Sequence, residues 1–202
     1  MFVQVIRGRT KDPARLRAAG EQWRQELAPG AEGFLGVTAG VAADGEAVTI
    51  VRFADEAAAR RNSERPEQGA WWEQHMAASY DHEPAFTESA DTDEFANGDR
   101  DSAGFVQVME GTCTDLAAVR AFEQANGDLL KEMRPDLLGL FRVNHPDGRF
   151  TQAAYFRSEA AARAGESGEP DAMAPELAEG MAEYGRNLNV ERYLDLTDPQ
   201  LF

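Results

Sequence analysis

The chain contains one sequence pattern twice, 103 residues apart. Residues 2–8, Phe-Val-Gln-Val-Ile-Arg-Gly, return at 105–111 as Phe-Val-Gln-Val-Met-Glu-Gly, with five of the seven positions identical. The segment Glu-Ala-Ala-Ala-Arg at 56–60 returns unchanged at 159–163, at the same spacing. A constant spacing over that distance indicates that one folding unit was duplicated, and each copy is far longer than a solenoid repeat. The sequence therefore predicts two domains of the same fold.

Length, charge and cysteine content limit the class of protein. With 202 residues, the chain has room for two domains of about 100 residues each. The net charge of -16 makes nucleic acid and anionic membranes unexpected partners, because both carry the same sign. No apolar run reaches the roughly 18 residues of a membrane-spanning helix, and the N-terminus lacks a signal-peptide pattern. Cys113 is the single cysteine, so no internal disulfide can form and a cytoplasmic location is expected.

The first half of each copy predicts a strand, a helix and a hairpin. Residues 2–8 carry apolar side chains on both alternating faces, as in a strand that is covered on both sides. Asp12 is an N-cap residue before Pro13 at the first helical position, so a helix begins there. Two strands, over 33–41 and 46–53, follow with a glycine-containing turn between them, which is a hairpin pattern.

The second half of each copy predicts helices and a last strand. Asp55 and Ser158 are N-cap residues for the two Glu-Ala-Ala-Ala-Arg helices. Pro66 and Pro170 then interrupt the two copies. A further helix follows in each copy, over 69–79 and 173–185, and a last strand over 83–90 and 188–196. The pairs Thr92-Asp93 and Thr197-Asp198 close the copies.

The order β-α-β-β-α-β is that of a ferredoxin-like domain, so the predicted fold class is α+β. A four-stranded sheet with both helices on one face leaves its other face bare. Two copies in one chain can cover these faces by packing sheet against sheet into a barrel, as a two-fold dimer does. The prediction is an intramolecular pseudo-dimer: a domain over 1–95, an acidic linker over 96–104 and a second domain over 105–202. A further homodimer stays open.

Three features carry a resemblance to a known family. They are the opening strands Phe2-Val3-Gln4-Val5 and Phe105-Val106-Gln107-Val108, the segment Gly33-Phe34-Leu35-Gly36, and Arg52-Phe53 followed by Asp55-Glu56-Ala57-Ala58. On these residues the chain resembles a tandem member of the dimeric α/β-barrel superfamily, close to the antibiotic biosynthesis monooxygenase-like domains. The resemblance covers nearly the whole chain. That superfamily includes cofactor-independent oxygenases, haem-degrading enzymes and isomerases, so the resemblance implies a fold and leaves the reaction open.

The richest candidate site lies on the predicted helix over 69–79. Trp72, His75 and Met76 share one face at α-helical spacing, and Trp71 adds further aromatic surface. The resemblance implies a pocket between sheet and helices, in which Trp71, Trp72 and Met76 bind a flat substrate and His75 acts as a base. The alternative is that the tryptophans are core residues and His75 is a partly exposed helix residue, because large aromatic side chains mostly serve packing.

Comparison of the two copies favours a single site in the first. Trp71 and Trp72 correspond to Pro175 and Glu176, and His75 corresponds to Glu179. A helix that only packs against the fold is expected to keep similar bulk in both copies. The loss of both tryptophans and the histidine therefore indicates that a site in the second copy was lost, or that the two helices have different neighbours.

Polar residues on the strands are further candidates. Gln4 and Gln107 lie in the middle of the two first strands, where an unbonded amide costs about 1–3 kcal/mol. They either hydrogen-bond to each other or line a pocket, in which Gln4 orients a substrate carbonyl. Arg7, which corresponds to Glu110, and Arg52 are candidate substrate-binding residues or solvated rim residues.

The expected function is that of a small-molecule monooxygenase or oxidoreductase, acting on an aromatic or quinone-like metabolite without a tightly bound cofactor. Three scattered histidines and one cysteine give no metal-ligand spacing, and no nucleotide-binding glycine loop is present. Two alternatives stay open: a barrel that binds such a ligand or haem without turnover, and a structural protein without a pocket. For haem, the resemblance gives His75 the role of iron ligand, with Gln4 or Arg7 where the haem-degrading branch carries an asparagine.

Overall fold

The structure is a computed structural model that describes residues 1–167 and 175–202. The predictions on Pro170 and on the start of the helix over 173–185 lie outside the described residues. The first copy forms β1 (Phe2–Arg9), α1 (Pro13–Glu26), β2 (Phe34–Val41), β3 (Glu46–Phe53), α2 (Glu56–Ser63), α3 (Pro66–Trp71) and β4 (Ala85–Ser89). A 3₁₀ turn over Ala28–Gly30 follows α1, while α3 continues into a π-helical turn over Trp72–Met76 and a 3₁₀ turn over Ala77–Ser79.

The second copy repeats this order. After β5 (Thr92–Ala96), which ends the first copy, and a 3₁₀ turn (Arg100–Ser102), it forms β6 (Phe105–Cys113), α4 (Leu116–Met133), β7 (Leu137–Asn144), β8 (Arg149–Phe156), α5 (Glu159–Ser167), α6 (Pro175–Asn187), β9 (Leu188–Leu196) and β10 (Gln200–Leu201). The strands make two five-stranded sheets, with orders β10-β2-β3-β1-β4 and β5-β7-β8-β6-β9. Four strands of each sheet have the ferredoxin-like order. The predicted α+β class and the tandem of ferredoxin-like domains are therefore confirmed.

The fifth strand of each sheet changes the domain boundaries. Unit 1 consists of Met1–Thr92 together with Leu194–Phe202, and unit 2 consists of Asp93–Tyr193. The predicted boundaries at 1–95, 96–104 and 105–202 do not coincide with these units. Because β5 and β10 pair with the edge strands β7 and β2, they satisfy backbone groups that an open sheet edge would leave unpaired.

The segment predicted to be a linker is part of unit 2. The backbone amide of Asn97 donates to the carbonyl of Leu138 at 3.0 Å, and its side-chain amide donates to Leu137 at 2.8 Å. Arg100 forms an ion pair with Glu94 at 2.6 Å. The segment is mostly exposed, in keeping with its acidic composition, and the bonds of Asn97 hold it against β7.

The local signals in the sequence specify the element ends. Asp12, Asp55 and Asp115 each accept a hydrogen bond from the backbone three residues on, as N-cap residues do. The β2–β3 and β7–β8 hairpins turn at Gly45 and Gly148, whose φ angles of 86° and 81° favour glycine. The helix starts predicted at Asp12 and Asp55 and the two hairpins are thus confirmed, whereas the helix predicted over 69–79 begins earlier, at Pro66.

The core of each unit is built around its central strands. In unit 1, β1 is buried on both faces, since Val3 and Val5 are fully buried on one and Phe2 and Ile6 pack against helices on the other. The prediction of a strand that is covered on both sides is therefore confirmed. The prediction that the two sheets pack against each other concerns the arrangement of the units and stays a prediction.

Candidate functional site

Unit 1 contains a cavity of about 670 Å³ between its sheet and its helices. Strands β1, β2 and β3 form the floor, through apolar residues such as Ile6, Val37 and Val51. Helix α1, helix α3 and the π-helical turn supply the opposite wall. The tail of the chain closes one side, through Gln200 in β10 and Phe202.

Aromatic rings dominate this wall. The chain has three tryptophans, Trp23, Trp71 and Trp72, and all three line the cavity. Ring centroids are 6.5 Å apart between Trp23 and Trp71, and 6.3 Å apart between Trp71 and Trp72. Phe86 lies 5.2 Å beyond Trp72, and Phe202 lies 6.2 Å from Trp23. The rings thus form a continuous apolar surface that suits a flat ligand.

Hydrogen bonds fix the orientation of two of these rings. The indole N–H of Trp23 donates to Gln68 Oε1 at 2.6 Å, and the indole N–H of Trp71 donates to the carbonyl of Ala19 at 3.2 Å. Both partners belong to elements that line the cavity. The aromatic wall is consequently held in place before any ligand enters.

Polar groups in the lining are mostly neutral. Gln4 Nε2 donates to Glu88 Oε1 at 2.8 Å, and Arg60 forms an ion pair with the same carboxylate at 2.6 Å. Although burial works in the opposite direction, these hydrogen bonds and the charge of Arg60 lower the pKa of Glu88. The side chain of Gln4 is thereby anchored at the cavity floor, next to a carboxylate whose ionised form is favoured.

Two buried hydroxyls lie at the same floor. Thr49 lines the cavity, and the Tyr80 hydroxyl lies beside it. Apart from each other, these hydroxyls have no hydrogen-bond partner in the described part of the chain. Burial raises the pKa of Tyr80 to about 12, against the smaller opposite effect of Thr49. Tyr80 therefore stays a neutral phenol over the physiological pH range.

The structure brings together four of the seven predicted site residues. Gln4, Trp71, Trp72 and Met76 all line the cavity, while His75 does not. His75 lies in the π-helical turn, in which the amide of Ala77 bonds to the carbonyl of Trp72, five residues back. Since this turn is wider than an α-helical one, it keeps Met76 near the face of Trp72 and rotates His75 away. The α-helical spacing assumed for this face was wrong.

The two predicted arginines also lie outside the lining. Arg52 is buried on β3 and contacts the Thr38 hydroxyl at 3.5 Å. Arg7 is half-buried on β1 and pairs in register with Val48 on β3 and Ala85 on β4. Neither guanidinium contributes to the cavity, so their substrate-binding roles, and the catalytic role of His75, stay predictions.

Several lining residues were not identified from the sequence. They are Trp23, the small residues Gly20 and Ala39, the polar residues Thr49 and Gln68, and the tail residues Asp198, Gln200 and Phe202. One signal was available for Gly20 and Ala39. At the constant spacing of 103 residues, they correspond to Glu123 and Arg142, which are much larger and charged.

In unit 2, an ion-pair network around one buried arginine fills the corresponding place. Arg142 is 2% exposed and donates to both carboxylate oxygens of Glu123, at 2.5 and 2.9 Å. It also donates to Asp93 at 2.8 Å, and the Tyr184 hydroxyl donates to Glu123 at 2.9 Å. Although burial alone would lower it, the two carboxylates raise the pKa of Arg142. Arg142 therefore keeps its positive charge within this network.

The described residues contain neither a cluster of metal-binding side chains nor a helix that could span a membrane. Nowhere in 1–167 and 175–202 do three or more His, Cys, Asp or Glu side chains lie close enough together to hold a metal ion. Within the same ranges, every helix is too short or too polar to cross a membrane.

Solved structures of similar fold cover nearly the whole chain. A candidate monooxygenase from Lactobacillus acidophilus NCFM matches with a TM-score of 0.64 and 12% identity, over 100% of this chain and 99% of that one. A candidate monooxygenase from Fusobacterium nucleatum subsp. nucleatum matches with a TM-score of 0.68 and 10% identity, over 99% and 91%. An anthrone oxidase-like protein matches with a TM-score of 0.63 and 8% identity, over 100% and 91%.

These likenesses establish the fold of the chain. It is the two-domain fold that these monooxygenase-like and oxidase-like structures share, in agreement with the tandem fold predicted from the sequence. No protein-family model matches the sequence, and no curated protein sequence matches it. At the low identities of the structural matches, the shared fold does not carry over a reaction.

Proposed function

We propose that unit 1 binds a flat, largely apolar aromatic molecule, and that the protein is a monooxygenase that oxidises this molecule without a tightly bound cofactor. The observation that carries the proposal is the cavity of about 670 Å³ lined by all three tryptophans. A cavity of this size, with mostly apolar walls and a few polar groups, is typical of small-molecule sites.

The charge distribution in the lining favours a neutral or phenolic ligand. The polar side chains on the floor, Gln4 and Thr49, are neutral donors and acceptors. The charged lining residues Arg17, Glu73 and Asp198 are all substantially exposed, so they belong to the mouth of the cavity. A carbonyl or hydroxyl oxygen on an aromatic ring matches this arrangement better than a carboxylate or phosphate, whose charge would be buried without a counter-charge.

Anthrone illustrates the proposed reaction class and is a suitable probe, since one structural neighbour is described as anthrone oxidase-like. Its keto form is in equilibrium with a phenol, whose anion transfers electrons to O₂. The methylene carbon gains one oxygen atom as a carbonyl, and its two hydrogens leave with the second oxygen atom as water. The substrate supplies all the electrons, so the protein has to bind and orient the ring and exclude bulk water.

Binding without turnover is the second candidate. It is favoured by the absence of a buried acid or base from the described lining residues, since the ionisable ones lie at the mouth. Haem is supported less well, because His75, its proposed iron ligand, does not line the cavity. Haem binding therefore stays a prediction from the resemblance alone.

Tryptophan fluorescence tests the proposed ligand class directly, because every tryptophan of the chain lines the cavity. Titration with anthrone under nitrogen is expected to quench the emission saturably. Trp72→Ala should weaken binding about tenfold, which corresponds to about 1.4 kcal/mol of ring contact. Tyr193→Ala removes an exposed aromatic side chain of unit 2 and serves as the matched control, with unchanged affinity.

An oxygen electrode then separates the two candidates. Consumption of one O₂ per anthrone, faster than in buffer alone, supports the monooxygenase. Saturable binding with no oxygen uptake above the background supports binding without turnover. An absence of quenching by anthrone contradicts the proposed ligand class.

A further inference from the structure

The two units place equivalent residues at equivalent positions of the same framework. On the sheet, Ala39 pairs in register with Thr49, and Arg142 pairs with Gln152. On the helix, Gly20 in α1 and Glu123 in α4 lie the same number of residues after their N-cap aspartates. Corresponding pairs therefore face the space between sheet and helix in each unit.

In unit 2 these residues fill that space with their own side chains. Arg142 spans from β7 to Glu123 on α4, and its guanidinium also reaches Gln152 at 3.4 Å. The hydroxyl of Tyr184 donates to Glu123. Every one of these groups is thus satisfied by a partner inside the unit.

In unit 1 the same framework lacks the arginine and the carboxylate. Gly20 and Ala39 carry almost no side chain, and both line the cavity. The equivalents of Gln152 and Tyr184 are Thr49 and Tyr80, whose buried hydroxyls have no partner but each other among the described residues. The cavity of unit 1 therefore lies where the ion pair lies in unit 2.

Apolar side chains border the ion pair in unit 2. Met109 and Tyr184 pack on the cluster of Val119 and Phe150, and the ring of Phe122 lies 5.3 Å from the ring of Tyr184. Removal of the two charged side chains would leave a space bordered by these groups. Such a space resembles the unit 1 cavity, although it lacks the tryptophans.

We propose that Gly20 and Ala39 are the residues that open the binding cavity of unit 1, and that unit 2 contains a latent site for the same class of flat aromatic ligand, closed by the Arg142–Glu123 pair. This inference rests on the proposed function, because it assigns the ligand of unit 1 to the latent site. One ligand binds per chain in the wild type. In unit 2, the ion pair occupies the place that a second ligand would take.

The closing variant Gly20→Glu/Ala39→Arg copies the ion pair into unit 1. A Cβ at Gly20 would lie 2.7 Å from Gln200 Oε1, which is the end of a flexible side chain and can move. We expect a folded protein whose tryptophan emission is no longer quenched by anthrone under nitrogen. The control Ala18→Glu/Ala57→Arg adds the same charges at exposed helix positions and should bind like the wild type.

The opening variant Glu123→Ala/Arg142→Ala removes both partners together, so that no single charge is left without its partner. Calorimetric titration with anthrone is expected to show two ligands per chain in place of one, the second binding more weakly. Quenching of the tryptophans, which all lie in unit 1, should stay as in the wild type. The signal of the second ligand is therefore separable from that of the first.

The outcomes distinguish this inference from the proposed function. A wild type that does not bind anthrone overturns both. A wild type that binds one anthrone, with a folded opening variant that also binds one, overturns the latent site alone. Should the opening variant fail to fold, the closing variant still decides: if it folds and still binds anthrone, Gly20 and Ala39 do not control the cavity.

Discussion

The carboxylate of Asp198 lies 2.6 Å from the guanidinium of Arg17, although 181 residues separate them in the sequence. Asp93 makes the matching contact with Arg120 at 2.7 Å. Both aspartates close a sequence copy, so the last residues of each copy belong to the unit built on the other. The two contacts differ in their surroundings: Asp93 also binds Arg142 and is 22% exposed, whereas Asp198 is 82% exposed.

This difference leads to a prediction about stability. We expect Arg142→Ala to lower the free energy of unfolding by about 2–3 kcal/mol, because it removes a buried guanidinium and leaves the half-buried Glu123 without its counter-charge. Urea unfolding followed by circular dichroism measures the change. Arg17→Ala breaks the exposed ion pair with Asp198 and should cost about 1 kcal/mol or less. Equal losses in the two variants would contradict the assignment of an ion-pair network around a buried arginine to unit 2.

The sequence patterns did not predict that the last residues of each copy belong to the unit built on the other copy. The constant spacing of the copies and the N-cap residues at 12, 55 and 158 were sufficient to predict the order of strands and helices. The segment over 92–96 is short, polar and acidic, and its sequence does not specify the sheet edge with which it pairs. That choice depends on tertiary contacts such as Asp93 with Arg120, which link distant parts of the chain.

Tyr80 makes stability depend on pH in the alkaline range. Its pKa is raised by burial from 10.0 to about 12, so between these values the unfolded chain loses a proton that the folded chain keeps. The contribution of the neutral Tyr80 hydroxyl to stability is therefore fully present below pH 10 and is lost as the pH rises through 12. The expected loss from this residue at pH 11 is roughly 1 kcal/mol.

Urea unfolding at pH 9 and pH 11 measures this contribution. Tyr80→Phe should lose less stability between the two pH values than the wild type does. Tyr184, whose pKa is also raised by burial and by the charge of Glu123, contributes to the remaining slope. Tyr193→Phe changes an exposed residue and should leave the wild-type slope unchanged. A Tyr80→Phe variant with the full wild-type slope would argue against a buried Tyr80 hydroxyl.

Phe202 is expected to support the cavity wall. Its ring lies 6.2 Å from both Trp23 and Phe34, and its backbone pairs with Val37. Phe202→Ala should cost about 2 kcal/mol, less than a fully buried phenylalanine because the ring is only half-buried. The tryptophan emission should shift to longer wavelength as Trp23 gains contact with water.

Leu35→Ala on the neighbouring strand β2 is the matched control, since this side chain is exposed. We expect a change in stability within about 0.5 kcal/mol and no spectral shift. A Phe202→Ala variant with unchanged emission would show that the tail does not shield Trp23.

The candidate site was predictable in part. Trp71, Trp72 and Met76 were identified because aromatic residues at helical spacing indicate one face, and Gln4 because an amide lies in a buried strand. Periodicity assumes 3.6 residues per turn, so it could not show the π-helical turn that separates His75 from that face. The cavity itself arises from missing side chains at Gly20 and Ala39. Such positions become informative only when the two copies are compared residue by residue.

The last prediction concerns His75, which was identified as a base from the sequence but lies outside the lining of the cavity. We expect His75→Ala to change the affinity for anthrone, measured by tryptophan quenching under nitrogen, by less than about twofold, since binding depends on contact with the cavity wall. Met76→Ala, which alters a buried lining residue one position away, should weaken binding clearly and is the comparison.

Oxygen uptake separates binding from chemistry. If His75→Ala binds anthrone normally but no longer consumes O₂, the base predicted from the sequence acts on the substrate, and the wall of the cavity must rearrange during the reaction. If uptake is unchanged, His75 has no catalytic role.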